Sequence, residues 1–229
     1  MAELFERGEH MTDTQCVHIN KYSAGEEIVN SITHGIGALL SVAGLVVLIV
    51  FAAVYGDAWH IASFSIYGGA LVILYAASTL YHSISNPSIK TLFKKMDHSA
   101  IFLLIAGTYT PFMLVSLRGV WGWSLLGTVW TLALIGISIK CLCIFRFQKL
   151  LIAMYVFMGW LGVIALKEIL QGVSTQTLVL LLAGGLSYTA GVIFYCLRKV
   201  PFNHGVWHLF VLCGSVMHYF SVLHILKGN

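Results

Sequence analysis

Seven separated apolar runs dominate this chain, at 29–55, 60–82, 98–117, 119–139, 149–166, 177–197 and 204–226. Each is about long enough to cross a hydrocarbon layer of roughly 30 Å at about 1.5 Å of helical rise per residue. With 59% hydrophobic and only 10% charged residues, the runs cannot be wrapped in a polar shell. Lipid must be the solvent for most of the surface. The runs stay apolar over about 20 residues, where strands of a membrane barrel would alternate in segments of about ten. The expected fold is an all-α integral membrane protein, one seven-helix bundle over 29–226 behind a short acidic tail, 1–28.

The net charge of +4 conceals a split. Residues 1–28 carry two basic and six acidic groups, a net −4, and residues 29–229 carry eleven basic and three acidic, a net +8. Nothing at the start reads as a cleaved signal peptide, so the first span is expected to direct insertion. Lys and Arg are retained in cytoplasmic loops. With the amino terminus inside, the inner side holds Arg7, Lys21, Lys90, Lys94, Lys95, Lys140, Arg146, Lys149, Arg198 and Lys199, against Arg118, Lys167 and Lys227 outside. The expected orientation is therefore amino terminus in, carboxyl terminus out. These cations are scattered over short loops without aromatic interleaving, which speaks for headgroup contact and against a nucleic-acid surface. The cysteines Cys16, Cys141, Cys143, Cys196 and Cys213 are odd in number and lack a Cys-x-x-Cys pair, so free thiols are expected.

Polar side chains within membrane spans are costly, about 2.5–3.5 kcal/mol or more when charged at the centre, and mark function. Of the ten histidines, His10 and His18 lie in the tail, and His60 and His224 fall at the outer ends of spans as headgroup-level residues. The orientation set by Lys and Arg places His34, His82, His98, His204 and His208 at the inner ends of four spans. His204 and His208 are four apart, so on a helix they project from one face about 6 Å from each other. Ser78 and His82 repeat that offset on the second span, and Asp97 opens the third. Three imidazoles from two helices leave one position of a tetrahedral zinc open, as in catalytic sites. Asp97 could hold and deprotonate a water there, and Ser78 could orient it or donate to a developing oxyanion. A histidine pair at this spacing is also compatible with plain helix-to-helix hydrogen bonding. His98, next to Asp97, is expected to face another helix or the headgroups, and deep His218 to hydrogen-bond a neighbouring helix through Thr108 or Tyr109.

Taken together, Glu27-x-x-Asn30-x-x-x-His34, Ser78-x-x-x-His82, Asp97 and His204-x-x-x-His208 resemble the bacterial hemolysin III-type members of the progestin and adipoQ receptor superfamily, from about Glu26 to His224. The resemblance implies a bundle inverted relative to G-protein-coupled receptors, with zinc on His82, His204 and His208 and with Asp97 and Ser78 beside the zinc-bound water. Glu27, Asn30 and His34 are then expected to support the ligands from behind. The family is placed among membrane-embedded metal-dependent hydrolases, its animal adiponectin receptors being similar to ceramidases. A lipid amide or ester in the bacterial inner (cytoplasmic) membrane is the implied substrate, and membrane lipid homeostasis the implied setting.

Pro111 is expected to kink the third span and open space for a lipid tail, while Gly184, Gly185 and Gly191 with Gly159 and Gly162 offer small packing faces. Trp121, Trp123 and Trp130 are read as interfacial anchors and packing residues. Three functions stand at this point: a zinc-dependent lipid hydrolase, a regulatory membrane protein with structural zinc, and a pore. A conduit needs polar residues along the whole depth, whereas here they gather at one end.

Overall fold

A computed structural model describes residues 22–142, 146–197 and 200–227. Seven helices in it are long and apolar enough to cross a membrane: α1 Ala24–Tyr55, α2 Ala58–Ser83, α3 Pro87–Ser116, α4 Val120–Leu142, α5 Gln148–Gly172, α6 Thr175–Cys196 and α7 Asn203–His224. Among the described residues there is no strand. The chain is a multi-pass, all-helical membrane protein.

Helix starts are written in local chemistry. Ser23 accepts the Glu26 N–H while Glu26 Oε2 accepts the Ser23 N–H, a reciprocal cap that starts α1 ahead of its apolar run. Asn86 caps α3 through the amides of Ser88 and Ile89, with Pro87 preset for the first turn. That cap corrects the expected start at 98: Lys90, Lys94, Lys95 and Asp97 are helical, and Asp97 sits well inside α3. Hydropathy marks where the lipid-facing run begins, not where the backbone starts to coil.

In the bundle α1 packs on α2, α2 on α3, α3 on α4 and α6 on α7, and α1 meets α7 to close the ring. Close approach uses missing side chains. A Cβ on Gly136 would enter the Phe102 ring, and one on Gly184 would enter the His218 imidazole. Between α2, α6 and α7 the Ser215 hydroxyl joins Tyr75 (2.7 Å) and Tyr188 (2.9 Å), a polar knot inside an apolar core.

Two helices break. After Pro111, α3 continues as a π turn over Phe112–Ser116, consistent with the expected distortion. α5 runs as α-helix to Trp160, tightens to 3-10 over Leu161–Ala165 and resumes at Leu166. The Tyr109 hydroxyl occupies that break, accepting the Gly162 N–H (2.8 Å) and donating to the Met158 carbonyl (2.9 Å). Two cavities of about 150 Å³ and about 100 Å³ lie beside it and share Tyr109, Trp160 and His218 as walls.

At the end of the bundle away from most histidines, His60 is buried against its neighbours. Its Nδ1 meets the Asp57 carboxylate at 2.8 Å, because Asp57 caps α2. Trp121 and Trp123 are exposed, and Trp130 packs inward with its indole N–H on Thr110. Cys141, Cys196 and Cys213 are free thiols; Cys16, Cys143, His10 and His18 lie outside the described residues.

Candidate metal centre

The last turns of α2 and the first of α7 bring His82, His204 and His208 together. One nitrogen from each lies within 4.8 Å of the others, and all three residues are buried, so this group could hold a metal ion. His204 Nε2 and His82 Nε2 are 3.2 Å apart. A tetrahedral ion bound at roughly 2.0–2.1 Å sets its ligands about 3.3 Å apart. α7 is aligned for this by the Phe202 amide, which donates to Glu26 on α1.

Hydrogen bonds behind two of the imidazoles, His82 and His208, fix their tautomers. Glu27 Oε2 lies 2.6 Å from His82 Nδ1, and the other Glu27 oxygen takes the Lys90 ammonium at 2.9 Å. His82 Nδ1 therefore carries the proton, and its Nε2 lone pair faces the cluster. On His208 the partner is Thr33 Oγ1 at 3.1 Å. Thr33 directs its one hydrogen to the carbonyls of Val29 or Asn30, so His208 Nδ1 must donate to it. His208 Nε2 is left as a buried lone pair without a hydrogen-bond partner. With the lone pairs of His82 Nε2 and His208 Nε2 turned inward and His204 Nε2 beside them, the donor set fits a divalent metal.

The other expected site residues, Ser78, Asp97, Asn30 and His34, are all buried. Ser78 lies one turn before His82, wholly buried, with its hydroxyl unpaired. Asp97 on α3 faces Ser78, and its Oδ2 has no hydrogen bond. His34 stacks on His208 with ring centres 3.4 Å apart, and Asn30 on the same face of α1 has both amide atoms unpaired. Tyr22, just ahead of α1, lies over His204 and His82 at 4.9 and 5.6 Å between ring centres. Burial, with Tyr81 and Tyr195 nearby, pushes its phenol well above the usual range and keeps it neutral.

None of the three imidazoles lines the larger cavity; His34 and Asp97 do, and beyond them the wall is mainly apolar. Three residues of that wall, His98, Lys140 and Gln148, were not singled out from sequence as site residues. Lys140, expected in an inner loop, is 2% exposed and donates to His98 Nδ1 and Gln148 Oε1, each at 3.0 Å. His98 thus faces α4, one of the two expected outcomes. His218 departs from expectation: its Nδ1 bonds the Gly214 carbonyl of its own helix, and its ring stacks on Tyr188.

A seven-helix membrane protein with a buried three-histidine cluster at one end is the class these features define. Residues 22–219 match the model of the family described as Haemolysin-III related, and the chain belongs to that family. It is 50% identical over 198 residues to "Hemolysin-3" of Bacillus cereus, covering 86% of this chain and 90% of that one. It is likewise 50% identical over 202 residues to the "Hemolysin-3 homolog" of Bacillus subtilis (strain 168), covering 88% and 95%. A more distant relation, 27% over 203 residues, reaches the human "Monocyte to macrophage differentiation factor", with 86% of this chain and 83% of that one covered. That relative is itself a member of the progestin and adipoQ receptor family.

Proposed function

We propose that the protein is a zinc-dependent hydrolase of a lipid amide or ester, with its site at the cytoplasmic face of a bacterial inner membrane. The observation that carries this reading is a mainly apolar cavity whose wall includes Asp97 and His34, the latter stacked on His208 of the trihistidine cluster. His82, His204 and His208 would hold the ion, zinc suiting imidazole donors and an open fourth position. When bound, it supplies Lewis acidity toward a carbonyl and toward water.

The chain's own groups supply the rest. Asp97 Oδ2, which makes no hydrogen bond, accepts the proton of the attacking water and returns it to the leaving group. The unpaired Ser78 hydroxyl donates to the oxygen on which negative charge develops. Glu27 and Thr33 hold His82 and His208 in register, and the cavity takes the acyl chain while keeping bulk water out. A pore finds no support here, because the cavity walls are mainly apolar.

The test is metal content by mass spectrometry after a mild chelator wash, followed by a lipid-amide and lipid-ester hydrolysis screen. About one zinc per chain is expected in the wild type and none in His204→Ala/His208→Ala. Asp97→Asn should keep the metal and lose about 10²–10⁴-fold in turnover. Absence of metal from the wild type would overturn the mechanism. Zinc without turnover on any lipid would leave it as a lock between α2 and α7.

A further inference from the structure

We propose that Lys90 is a positioning residue of the metal centre: its ammonium grips both the peptide that precedes His82 and the carboxylate that orients the His82 imidazole, so that this ligand is aligned before an ion arrives. The inference rests on the reading of His82, His204 and His208 as metal ligands, but not on turnover.

Lys90 falls at the end of the first turn of α3, its amide bonded to the Asn86 carbonyl, where the helix dipole disfavours a cation. Its side chain runs back to the end of α2, where the dipole favours one. There the ammonium donates to the Tyr81 carbonyl at 2.8 Å and to the Ile84 carbonyl at 3.2 Å, and lies 4.9 Å from the centre of the Tyr81 ring. Carbonyls in the last turn of a helix have run out of helical amides, so Lys90 supplies donors that a further turn of α2 would have supplied. Its third N–H goes to Glu27 Oε1 at 2.9 Å. All three donors of the ammonium are thus engaged, on oxygens from α1, α2 and the loop between α2 and α3.

Two of those oxygens bear on His82. The Tyr81 carbonyl belongs to the peptide that joins Tyr81 to His82, so holding it fixes the backbone from which the imidazole springs. Glu27 meets His82 Nδ1 through its other oxygen, at 2.6 Å, which fixes the ring itself. With side chains only 12% and 20% exposed, the Lys90–Glu27 pair is weakly screened and keeps the carboxylate from turning out to water. Backbone and ring are therefore set from one point, and a ligand already in place loses less freedom when it takes up an ion. Charge alone would act the other way. A cation one carboxylate away from His82 repels a second cation at the cluster, so its removal would tighten metal binding, whereas loss of placement loosens it.

The zinc affinity of the purified full-length protein is measured by competition with a chromogenic chelator, together with the melting temperature of the metal-free form. Lys90→Met should bind zinc about 10-fold more weakly than the wild type, and Lys90→Gln, should the first fail to fold, should do the same. Lys90→Arg keeps a cationic donor for Glu27 and should bind closer to the wild type than either. In a Glu27→Gln background Lys90→Met should cost less affinity than it does alone, because the carboxylate it positions is gone. Equal or tighter zinc binding in the neutral variants overturns the proposal, as does an arginine variant no better than they are, or a loss that adds in full to that of Glu27→Gln. A lower melting temperature with unchanged affinity would make Lys90 a fastener of helices alone and overturn it too. A wild type that binds no zinc defeats the ligand reading and the proposal with it, whereas failure of the hydrolase reading alone leaves the affinity differences in place.

Discussion

The two ends of the bundle treat buried polarity in opposite ways. At the end away from the histidine cluster, the Asp57 carboxylate accepts from the Trp59 and His60 amides, from His60 Nδ1 and from Arg118, whose guanidinium also bonds the Leu114 carbonyl and lies over Trp59. Nearly every group there has a partner; His60 Nε2 is the exception. At the site end, Asn30, His34, Ser78, Asp97, Ser99 and His208 all hold buried polar atoms without one. An unpaired buried group costs about 1–3 kcal/mol, and among the described residues such groups gather mainly at the site end. Satisfied polarity fastens a helix junction, and unsatisfied polarity awaits a ligand.

Substitutions at the two ends should therefore separate binding from stability. The largest effect is expected from Glu27→Gln, which removes the carboxylate behind His82 and the partner of Lys90. Metal affinity should fall about 10- to 100-fold, measured by competition with a chromogenic chelator. Unchanged affinity would mean that the carboxylate serves helix packing alone and would erase the contrast at its strongest point. Midway along the bundle, Gly184→Ala drives a methyl group into His218 and the Gly214 carbonyl. It should cost about 1–3 kcal/mol in unfolding while leaving metal content intact.

The smallest change is expected from Arg118→Ala, which removes a half-exposed ion pair worth less than about 1 kcal/mol. Hydrogen bonds from His60, and then Arg118, hold the Asp57 carboxyl well below the usual carboxylate range. Because that folded value is depressed, the contribution is complete at neutral pH and is lost as the pH falls below about 4. The Arg118→Ala difference in melting temperature should shrink over that same acid range. A loss of metal in this variant would show that the two ends are coupled, contrary to the division drawn between them.

Hydropathy made the seven spans legible because lipid demands length and apolarity from every one of them. Spacing by four joined Ser78 to His82 and His204 to His208, since helical geometry alone puts those side chains on a common face. What stayed hidden depended on which way a residue turns. Lys140 reads as a loop cation until α4 is rotated toward His98. Thr33 is indistinguishable from a lipid-facing threonine until α7 brings His208 to it, across 175 residues of sequence. Membrane helices apolar all round carry a weak directional pattern, so sequence reveals that they cross but seldom what they face. The burial of His60 was hidden for a related reason: it follows from the Asp57 cap, a local bond that hydropathy does not register.

His82 and His204 stand 122 positions apart in the sequence. A chain halted anywhere before α7 owns one of the three imidazoles and can build no centre, however well its first six helices pack. Metal capture by this cluster would therefore require all seven helices. An ion that binds only the finished bundle would draw the population toward it by mass action, rewarding the last helix for finding the second.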